Sequence, residues 1–598
     1  MQRAAQAYQR GEWGEAERLC RLIVNAKADY FHALLLLGAI TAQTRRTQEA
    51  VELLSRAIAV NPHSAEAFSN RGNALADLNR HEAALESYER AIALQPGYAD
   101  LYINRGNSLA DLGRHAAALE SFEQAIVLKP DYAEAYSNRG GALRSLQRHE
   151  EAVQSYEQAI ALRPDYAEAF YNRGVVLAEL KRHAAALESF EQAIALKPDY
   201  AEAYTNRGNA LAELKRHGAA LESYERAIAL KPGYAEAHGN RGVALAELKR
   251  HEAALESCER AIALKPDYAK GYYDRGVVLA GLKRDEAALE SFERAIVLKP
   301  DYAEAYNNRG VALAALKRHA AALESYERAI ALKPDYAEAY GNRAHVLLDL
   351  NRPEEAIAAY RQSLENGGDA EQVEYFLAAL GAASLPGAAP TQYVTSLFDR
   401  DADRFDQHLI GTLKYKTPAM LFENVVRFCP SHALDILDLG CGTGLLGPLL
   451  RPLARTLIGV DLSSNMLEKA RQREVYDELI HAELTEFLQT RRKSFDLAVA
   501  ADVFVYIGDL ADVFASVRAA LRDGGWFGFS IEANDGEDFV LRPTRRYAHS
   551  VAYLEKLARA HGFVTMSIEP RVIRQERGVD VNGYLAIMNC CRRQELRE

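Results

Sequence analysis

Apolar and small residues recur at helical spacing inside a unit of 34 residues. In the unit 133–166, Tyr136, Gly140 and Leu143 are four and three positions apart, so they share one face of a first predicted helix. A second helix repeats this spacing and ends before Pro164, because proline lacks the N–H that a helix interior needs. Such a helix pair cannot bury its apolar face alone, which predicts a stack of units.

The closing proline returns at the same period through the first two-thirds of the chain. The pattern predicts ten full units over 31–370, a truncated unit before them and a polar-faced capping helix over 369–382, so that residues 1–383 form one solenoid. With its small residues at the eighth and twentieth positions, the unit resembles the tetratricopeptide repeat. The prolines are Pro62, Pro96, Pro130, Pro164, Pro198, Pro232, Pro266, Pro300 and Pro334.

A different pattern follows the segment 384–390, whose prolines, glycine and alanines indicate a linker. Buried strands now alternate with helices, which predicts a mostly parallel sheet. The predicted strands are 434–439, 457–461, 495–501 and 526–531, and the helices between them begin near Leu445 and cover 465–473, with Ser463 as an N-cap.

The turn after the first strand contains Gly440, Gly442 and Gly444, each two residues from the next. A dinucleotide site needs the spacing G-x-G-x-x-G, and a P-loop needs a lysine, so neither motif fits. Asp461 ends the second strand, 21 residues after Gly440, where a carboxylate can accept hydrogen bonds from both hydroxyls of a ribose. The pattern predicts an adenosine-type ligand without a pyrophosphate, and a redox or nucleotide domain stays open as the alternative.

Composition narrows the classes of function. The formal charge of −11 and the pI near 5.9 argue against a nucleic-acid partner, which usually meets a basic face. Six cysteines in a chain of 598 residues form no disulfide pattern, and no cluster of histidines and carboxylates predicts a metal. No apolar run approaches the roughly 20 residues of a membrane span, so we expect a soluble, cytoplasmic protein without a membrane partner.

Further motifs give a resemblance to a known family. The segments 396–399, 404–406 and 413–415, then 501–510 and 546–550, are similar to the helical lid and late motifs of bacterial class I S-adenosylmethionine-dependent methyltransferases that carry tetratricopeptide repeats. The resemblance implies a multidomain α + α/β chain, an all-α repeat superhelix followed by a Rossmann-like methyltransferase domain over 391–598. Residues 391–430 would form its lid.

The resemblance also implies a role for individual residues toward S-adenosylmethionine. The turn would hold the methionine part of the cofactor, Asp461 the ribose, and Glu483 would lie near the adenine amino group in place of the family's usual aspartate. Asp502 would lie near the sulfonium. The implied cofactor residues are Asp438, Gly440, Cys441, Gly442, Thr443, Gly444, Asp461, Leu462, Ser463, Met466, Glu483, Leu484 and Asp502.

The methyl acceptor is left open by the sequence. Candidates for contacts to it are Asp502, Tyr506, Tyr547 and His549, and His549 is the one that titrates near neutrality without help. No catalytic base is assigned. Methylation of amino groups on nucleic-acid bases or glutamine amides is disfavoured, because no Asn/Asp-Pro-Pro-aromatic motif follows the third strand.

An asparagine recurs at the sixth position of the repeats. An amide donates and accepts, so a column of amides could hold an extended peptide backbone, similar to the asparagine ladder of protein O-linked N-acetylglucosamine transferases. Recent duplication that copied the residue without present use is the alternative. The residues are Asn70, Asn104, Asn138, Asn172, Asn206, Asn240, Asn308 and Asn342, with Asp274 as the exception.

Two classes of function remain. In the first, the chain is an active methyltransferase whose repeats recruit a protein or peptide substrate or partner. Within this class, the sequence favours a small-molecule acceptor, with the repeats as a docking arm, nearly as much as a protein acceptor. In the second, the repeats are a scaffold, and the fused domain binds the cofactor without turnover. The oligomeric state does not follow from the sequence.

Overall fold

A computed structural model describes residues 1–401, 405–407, 415–429, 432–576 and 579–590. The chain divides into two compact units, Met1–Pro300 and Asp301–Glu598. The second unit therefore contains the last repeats together with the α/β domain, whereas the sequence analysis expected the division at 384–390. Residues 402–404 and 408–414, part of the predicted lid, lie outside the described residues.

The first unit consists of antiparallel helix pairs, and in most of them a glycine on the first helix meets an aromatic ring on the second. A Cβ added at Gly72 would lie 2.5 Å from the Tyr88 ring, and one at Gly106 would lie 2.4 Å from the Phe122 ring. The predicted repeat architecture is confirmed. Its helices are α1 Gln2–Gln9, α2 Trp13–Ala26, α3 Phe31–Gln43, α4 Thr47–Val60, α5 Ala65–Asp77, α6 His81–Leu94, α7 Ala99–Asp111, α8 His115–Leu128, α9 Ala133–Ser145, α10 His149–Leu162, α11 Ala167–Glu179, α12 His183–Leu196, α13 Ala201–Glu213, α14 His217–Leu230, α15 Ala235–Glu247, α16 His251–Leu264, α17 Ala269–Gly281 and α18 Asp285–Leu298.

The second unit begins with two more helix pairs and a single helix, α19 Ala303–Ala315, α20 His319–Leu332, α21 Ala337–Asp349, α22 Pro353–Glu365 and α23 Ala370–Ala379. Asp369 caps α23 by accepting from the Gln372 N–H at 3.1 Å. The expectation of a polar-faced capping helix is wrong, because Tyr375 and Phe376 are buried. Their rings pack against the α/β domain, where the Tyr375 hydroxyl donates to the Arg545 carbonyl at 2.7 Å.

The segment 384–390 is hydrogen-bonded along its length. The Ala389 N–H donates to the Tyr506 carbonyl at 2.8 Å, and the Gly508 N–H donates to the Gly387 carbonyl at 2.8 Å. The Tyr547 hydroxyl donates to the Pro386 carbonyl, also at 2.8 Å. The predicted linker is thus an ordered edge of the α/β domain rather than a free tether.

The α/β domain is built on one twisted sheet with the order β3-β2-β1-β4-β5-β7-β6, in which β1 to β5 and β7 pair in parallel. The antiparallel β9 pairs with β5, and β8 pairs with β9. The strands are β1 Leu434–Leu439, β2 Ala454–Asp461, β3 Glu478–His481, β4 Phe495–Ala500, β5 Leu521–Ala533, β6 Phe539–Leu541, β7 Tyr547–His549, β8 Phe563–Glu576 and β9 Val579–Cys590.

Helices cover the sheet, and the four predicted strands correspond to β1, β2, β4 and β5. The described helices are α24 Thr391–Asp401, α25 Phe405–Gln407, α26 Thr417–Phe428, α27 Gly447–Leu450, α28 Ser464–Arg471, α29 Leu484–Gln489, α30 Ala511–Ala520 and α31 Val551–His561. A fully buried aromatic core of Phe514, Phe527 and Phe529 lies between β5 and α30. Within the described residues, no helix is long and apolar enough to cross a membrane.

Candidate active site

The glycine turn follows β1 directly. Gly440, Gly442 and Gly444 have φ angles of +61°, +55° and +78°, which residues with a side chain rarely adopt. A Cβ added at Gly440 would lie 2.5 Å from a methyl group of Val503, while one at Gly442 would meet nothing within 4 Å. The turn therefore packs tightly against Val503 on one side and presents bare backbone to a cavity on the other.

Asp461 lies at the carboxyl end of β2, beside this turn. Its two carboxylate oxygens accept from the Gly442 N–H and the Ser463 N–H, each at 2.8 Å. Burial raises the pKa of Asp461 above its usual range, and the two backbone hydrogen bonds oppose that shift. Since a carboxylate offers about four acceptor sites, two remain for hydroxyl groups of a ligand.

Asp438, the last but one residue of β1, is a buried acid at the cavity wall. The Tyr476 hydroxyl donates to its Oδ2 at 2.6 Å. Burial raises the pKa of Asp438 to about 7, although the hydrogen bond from Tyr476 acts in the opposite direction. A buried carboxylate without a cationic partner suits a ligand that brings an ammonium group.

A single cavity of about 610 Å³ connects these groups with the residues that follow β4 and with Arg574 on β8. Such a volume holds one cofactor-sized molecule or more. Of the predicted cofactor residues, those that line the cavity are Asp438, Gly440, Cys441, Gly442, Thr443, Asp461, Leu462, Met466, Glu483, Leu484 and Asp502.

Gly444 and Ser463 support this wall without lining it. The Gly444 N–H donates to the Cys441 carbonyl at 2.8 Å and closes the turn. Ser463 accepts from the Met466 N–H at 3.1 Å and so caps α28, as predicted. Glu483 lines the cavity and also caps α29, because its carboxylate accepts from the Glu486 N–H at 2.8 Å.

Described parts of the lid close over the cavity. Asp406 accepts from the Thr443 hydroxyl at 2.5 Å and also pairs with Arg473. Phe398 stacks edge-on against Phe405 and Tyr506, with ring centroids 5.7 and 5.5 Å apart. These rings line the cavity.

The far end of the cavity contains the predicted Asp502 together with two arginines to which the sequence analysis gave no role. Asp502 has a φ of +57°, and its carboxylate accepts from the Ser530 hydroxyl at 2.8 Å. Arg574, which is 4% exposed, lies 3.4 Å from the other oxygen of Asp502 and pairs with the buried Glu532. Arg546 also lines the cavity. Burial raises the pKa of Asp502, and Arg574 opposes that shift.

Among the acceptor candidates, Asp502 and Tyr506 line the cavity, whereas Tyr547 and His549 do not. The expectation for these two is corrected, because both are fully buried on β7. The Tyr547 hydroxyl donates to the Pro386 carbonyl. The Nε2 atom of His549 lies 2.9 Å from the Ile507 carbonyl oxygen and 3.0 Å from the Gly508 carbonyl oxygen. Burial lowers the pKa of His549 to about 4, so that it is neutral at pH 7.

The sixth-position asparagines mostly contact the preceding repeat. Their amide groups donate over 2.9 to 3.0 Å to a side-chain oxygen at the fifth or ninth position of that repeat. The amides are therefore partly used within the array, and a role in peptide binding stays a prediction. The donor and acceptor pairs are Asn104–Asn73, Asn138–Asn107, Asn206–Tyr171, Asn240–Asn209 and Asn342–Asn307.

Comparison with known families agrees with both parts of the chain. A model described as "Methyltransferase domain" matches residues 437–527. Models described as "TPR repeat" and "Tetratricopeptide repeat" match within 72–215, 205–269, 281–317, 303–336 and 320–371. The sheet and the glycine turn define the C-terminal part as a class I methyltransferase domain. The chain therefore contains a methyltransferase domain and tetratricopeptide repeats.

Curated relatives match the methyltransferase part. A ubiquinone biosynthesis O-methyltransferase of Thiobacillus denitrificans is 28% identical over 26% of this chain and 79% of its own length. One from Hydrogenovibrio crunogenus is 26% identical over 21% of this chain, and the malonyl-[acyl-carrier protein] O-methyltransferase of Salmonella typhimurium is 28% identical over 23%. The chain spans about half the length of these last two relatives, 54% and 53%.

Solved structures match the repeats. MamA is 26% identical, with a TM-score of 0.26 over 28% of this chain and 96% of its own. YrrB, described as "a TPR protein with an unusual peptide-binding site", is 28% identical, with a TM-score of 0.27 over 31% of this chain and 96% of its own. These scores are too low to support a conclusion about function.

Proposed function

We propose that the chain transfers a methyl group from S-adenosylmethionine to an oxygen acceptor, and that its repeats recruit a protein or peptide substrate or partner. The observation that carries the proposal is the continuous cavity, which runs from Asp438 and Asp461 to Asp502 and Tyr506. One end has the polar groups that an adenosine and an amino acid need, and the other end has room for an acceptor.

The residues at the first end fit the cofactor. Asp461 would accept from the ribose hydroxyls, and Asp438 would accept from the amino group of the methionine part. The bare backbone at Gly442 allows close approach, because a Cβ there would project into open space. Leu462 and Met466 provide apolar contacts for the adenine. When bound, S-adenosylmethionine would supply a methyl group attached to a sulfonium. The sulfur would leave as a neutral thioether when the methyl group is transferred.

The residues at the other end would orient the acceptor. Phe398 and Tyr506 limit the width of the cavity, so that a side chain or a small molecule reaches the methyl group while water is excluded. Asp502 is the carboxylate that could take the proton of an acceptor hydroxyl, since burial raises its pKa. The names of the curated relatives, all O-methyltransferases, support an oxygen acceptor.

A small-molecule acceptor is the second candidate, with the repeats as a docking arm. The observation in its favour is the set of curated relatives, because the first of them are named for ubiquinone biosynthesis. The two candidates share the cofactor site. They differ in whether the repeats recruit a protein or peptide substrate or serve only as a docking arm.

The cofactor site is tested by calorimetric titration of the full-length protein with S-adenosylmethionine. Asp461→Ala should weaken binding at least tenfold, because two ribose hydrogen bonds are lost at a cost of about 1 kcal/mol each. Glu468→Ala is the matched control, since this carboxylate lies on α28 with 61% of its side chain exposed. Equal affinities of Asp461→Ala and the unaltered protein would contradict the proposed site.

A further inference from the structure

One side-chain oxygen is shared between neighbouring repeats at two places in the first unit. It belongs to the asparagine at the ninth position and accepts from two donors, the tyrosine hydroxyl of the second helix in the same repeat and the asparagine amide of the next repeat. The two sets are Tyr88, Asn73 and Asn104, at 2.8 and 3.0 Å, and Tyr224, Asn209 and Asn240, at 2.9 and 2.9 Å.

In the repeat that begins with α9, Gly141 occupies this ninth position, so the shared oxygen is missing. Both donors remain, as Tyr156 and Asn172. Within the described residues, neither side chain has a hydrogen-bond partner, although Tyr156 is 2% exposed. A Cβ added at Gly141 would lie 3.8 Å from the Tyr156 oxygen, so the space that an asparagine fills elsewhere is open here.

The open space is part of a cavity, and three more of its lining residues differ from their equivalents in the neighbouring repeats. Arg144 stands where neighbouring repeats have Ala110 and Ala178, and Ser145 and Gln147 replace acidic, glycine or lysine residues. Arg144 makes a bidentate pair with Glu179, with Nε–Oε2 and Nη2–Oε1 distances of 3.1 and 2.6 Å. Because this ion pair is balanced, the cavity has no net charge that would favour a charged ligand.

We propose that this cavity binds a carboxamide side chain, asparagine or glutamine, of an extended peptide. The carboxamide oxygen replaces the missing one and accepts from the Tyr156 hydroxyl and the Asn172 amide. Its NH₂ group donates to Glu179, which keeps acceptor capacity beside Arg144. The inference rests on the proposed role of the repeats in binding a peptide, and it does not depend on methyl transfer.

A random heptapeptide library displayed on phage, selected on immobilised full-length protein, tests the proposal. We expect selected peptides to share an asparagine or glutamine and to bind Gly141→Asn at least tenfold more weakly, because the new side chain fills the cavity and restores the shared oxygen. Val175→Asn, which adds the same side chain one repeat further, should leave their affinity unchanged. Selection of acidic or apolar motifs, equal binding to Gly141→Asn, or no enrichment would overturn the proposal.

Thermal unfolding gives an independent readout. Gly141→Asn should raise the melting temperature by a few degrees, since both orphaned donors regain an acceptor and a glycine is removed from a helix. A lower melting temperature would contradict the geometry on which the site is based. Titration with S-adenosylmethionine separates this test from the proposed enzyme activity, because Gly141→Asn should leave cofactor affinity unchanged even if peptide binding is lost.

Discussion

The hydrogen bond from Tyr476 to Asp438 gives a sharp test of how the cofactor site works. Tyr476→Phe removes the hydroxyl and keeps the ring, which fills the space beside Gly447. A hydrogen bond to a charged group contributes about 1.5–3 kcal/mol, and one pKa unit corresponds to about 1.4 kcal/mol. The pKa of Asp438, about 7 in the natural protein, should therefore rise by roughly one to two units in the variant.

The cofactor's amino group is positively charged and needs an ionised Asp438 carboxylate beside it. The expected result follows from this requirement. At pH 7 about half of Asp438 is ionised in the natural protein, and roughly a tenth to a hundredth would be ionised in the variant. Affinity for S-adenosylhomocysteine at pH 7 should thus fall roughly tenfold. The acid limb of the affinity–pH profile, centred near pH 7, should move upward by the same one to two units.

The assay is calorimetric titration with S-adenosylhomocysteine between pH 5.5 and 8. Tyr360→Phe is the control, because the buried Tyr360 hydroxyl has no hydrogen-bond partner among the described residues. Stability should also respond: since the folded pKa of Asp438 lies above its usual value, this group's contribution is full at low pH and is lost as pH rises through about 7. A flat affinity profile from pH 6 to 8, or an unchanged midpoint in Tyr476→Phe, would refute this reasoning.

Three further changes have defined outcomes. Gly440→Ala forces a positive φ and a contact with Val503, so we expect a loss of about 1–3 kcal/mol by denaturant titration and loss of cofactor binding. Ser463→Ala removes the cap on α28, and the same titration should show a loss of about 0.5–2 kcal/mol. Because the pKa of His549 is lowered, its contribution to stability is full above pH 6.5 and is lost as pH falls toward 4, a loss of about 3 kcal/mol. His549→Gln should therefore flatten the dependence of the melting temperature on pH.

Two of these changes, Gly440→Ala and His549→Gln, have a control or a contrary result. Gly524→Ala also has a positive φ, of +82°, but its Cβ would meet nothing within 4 Å, so it should cost stability without affecting cofactor binding. Normal binding by Gly440→Ala would contradict the close approach to Val503. An acid transition unchanged by His549→Gln would show that other groups control it.

Local sequence was enough to predict the repeats and four of the six parallel strands, whereas β3 and β7 were not predicted. The signals that were found are short in range: a glycine meets an aromatic ring at a fixed separation, and buried strands such as β4 are mostly apolar. Even there, the boundaries moved, since β2 begins at Ala454, three residues before the predicted start. The N-cap Ser463 was predicted because a cap depends only on neighbouring residues.

Features that depend on distant partners were not predicted. The strand β8 has no uniform apolar run, because it is only partly buried between Thr565 and Arg571 and is held by pairing with β9. The strand β9 does contain an apolar run, 584–588, which the sequence analysis did not assign. Helix α23 was expected to have a polar face, but the α/β domain covers Tyr375, and Phe376 packs against His345 and Tyr360 of the last repeat.

The site shows the same division. The glycine turn and Asp461 follow from a motif, since neighbouring residues fix their geometry. Tyr476 lies just before β3 and contacts Asp438, whereas Arg574 on β8 lines the cavity, and no motif marks either residue. His549 looked like a candidate for acceptor contacts from its residue type alone, yet the fold uses it as a buried neutral hydrogen-bonding group.

The most direct test of the central proposal is transfer of a labelled methyl group. The full-length protein is incubated with methyl-labelled S-adenosylmethionine and cell lysate, with Asp461→Ala as the blank, and macromolecules are separated from metabolites. We predict label above the blank in a protein fraction, and removal of repeats should abolish it. Label only among metabolites would favour the small-molecule acceptor. No label above the blank in either fraction would contradict the methyltransferase proposal.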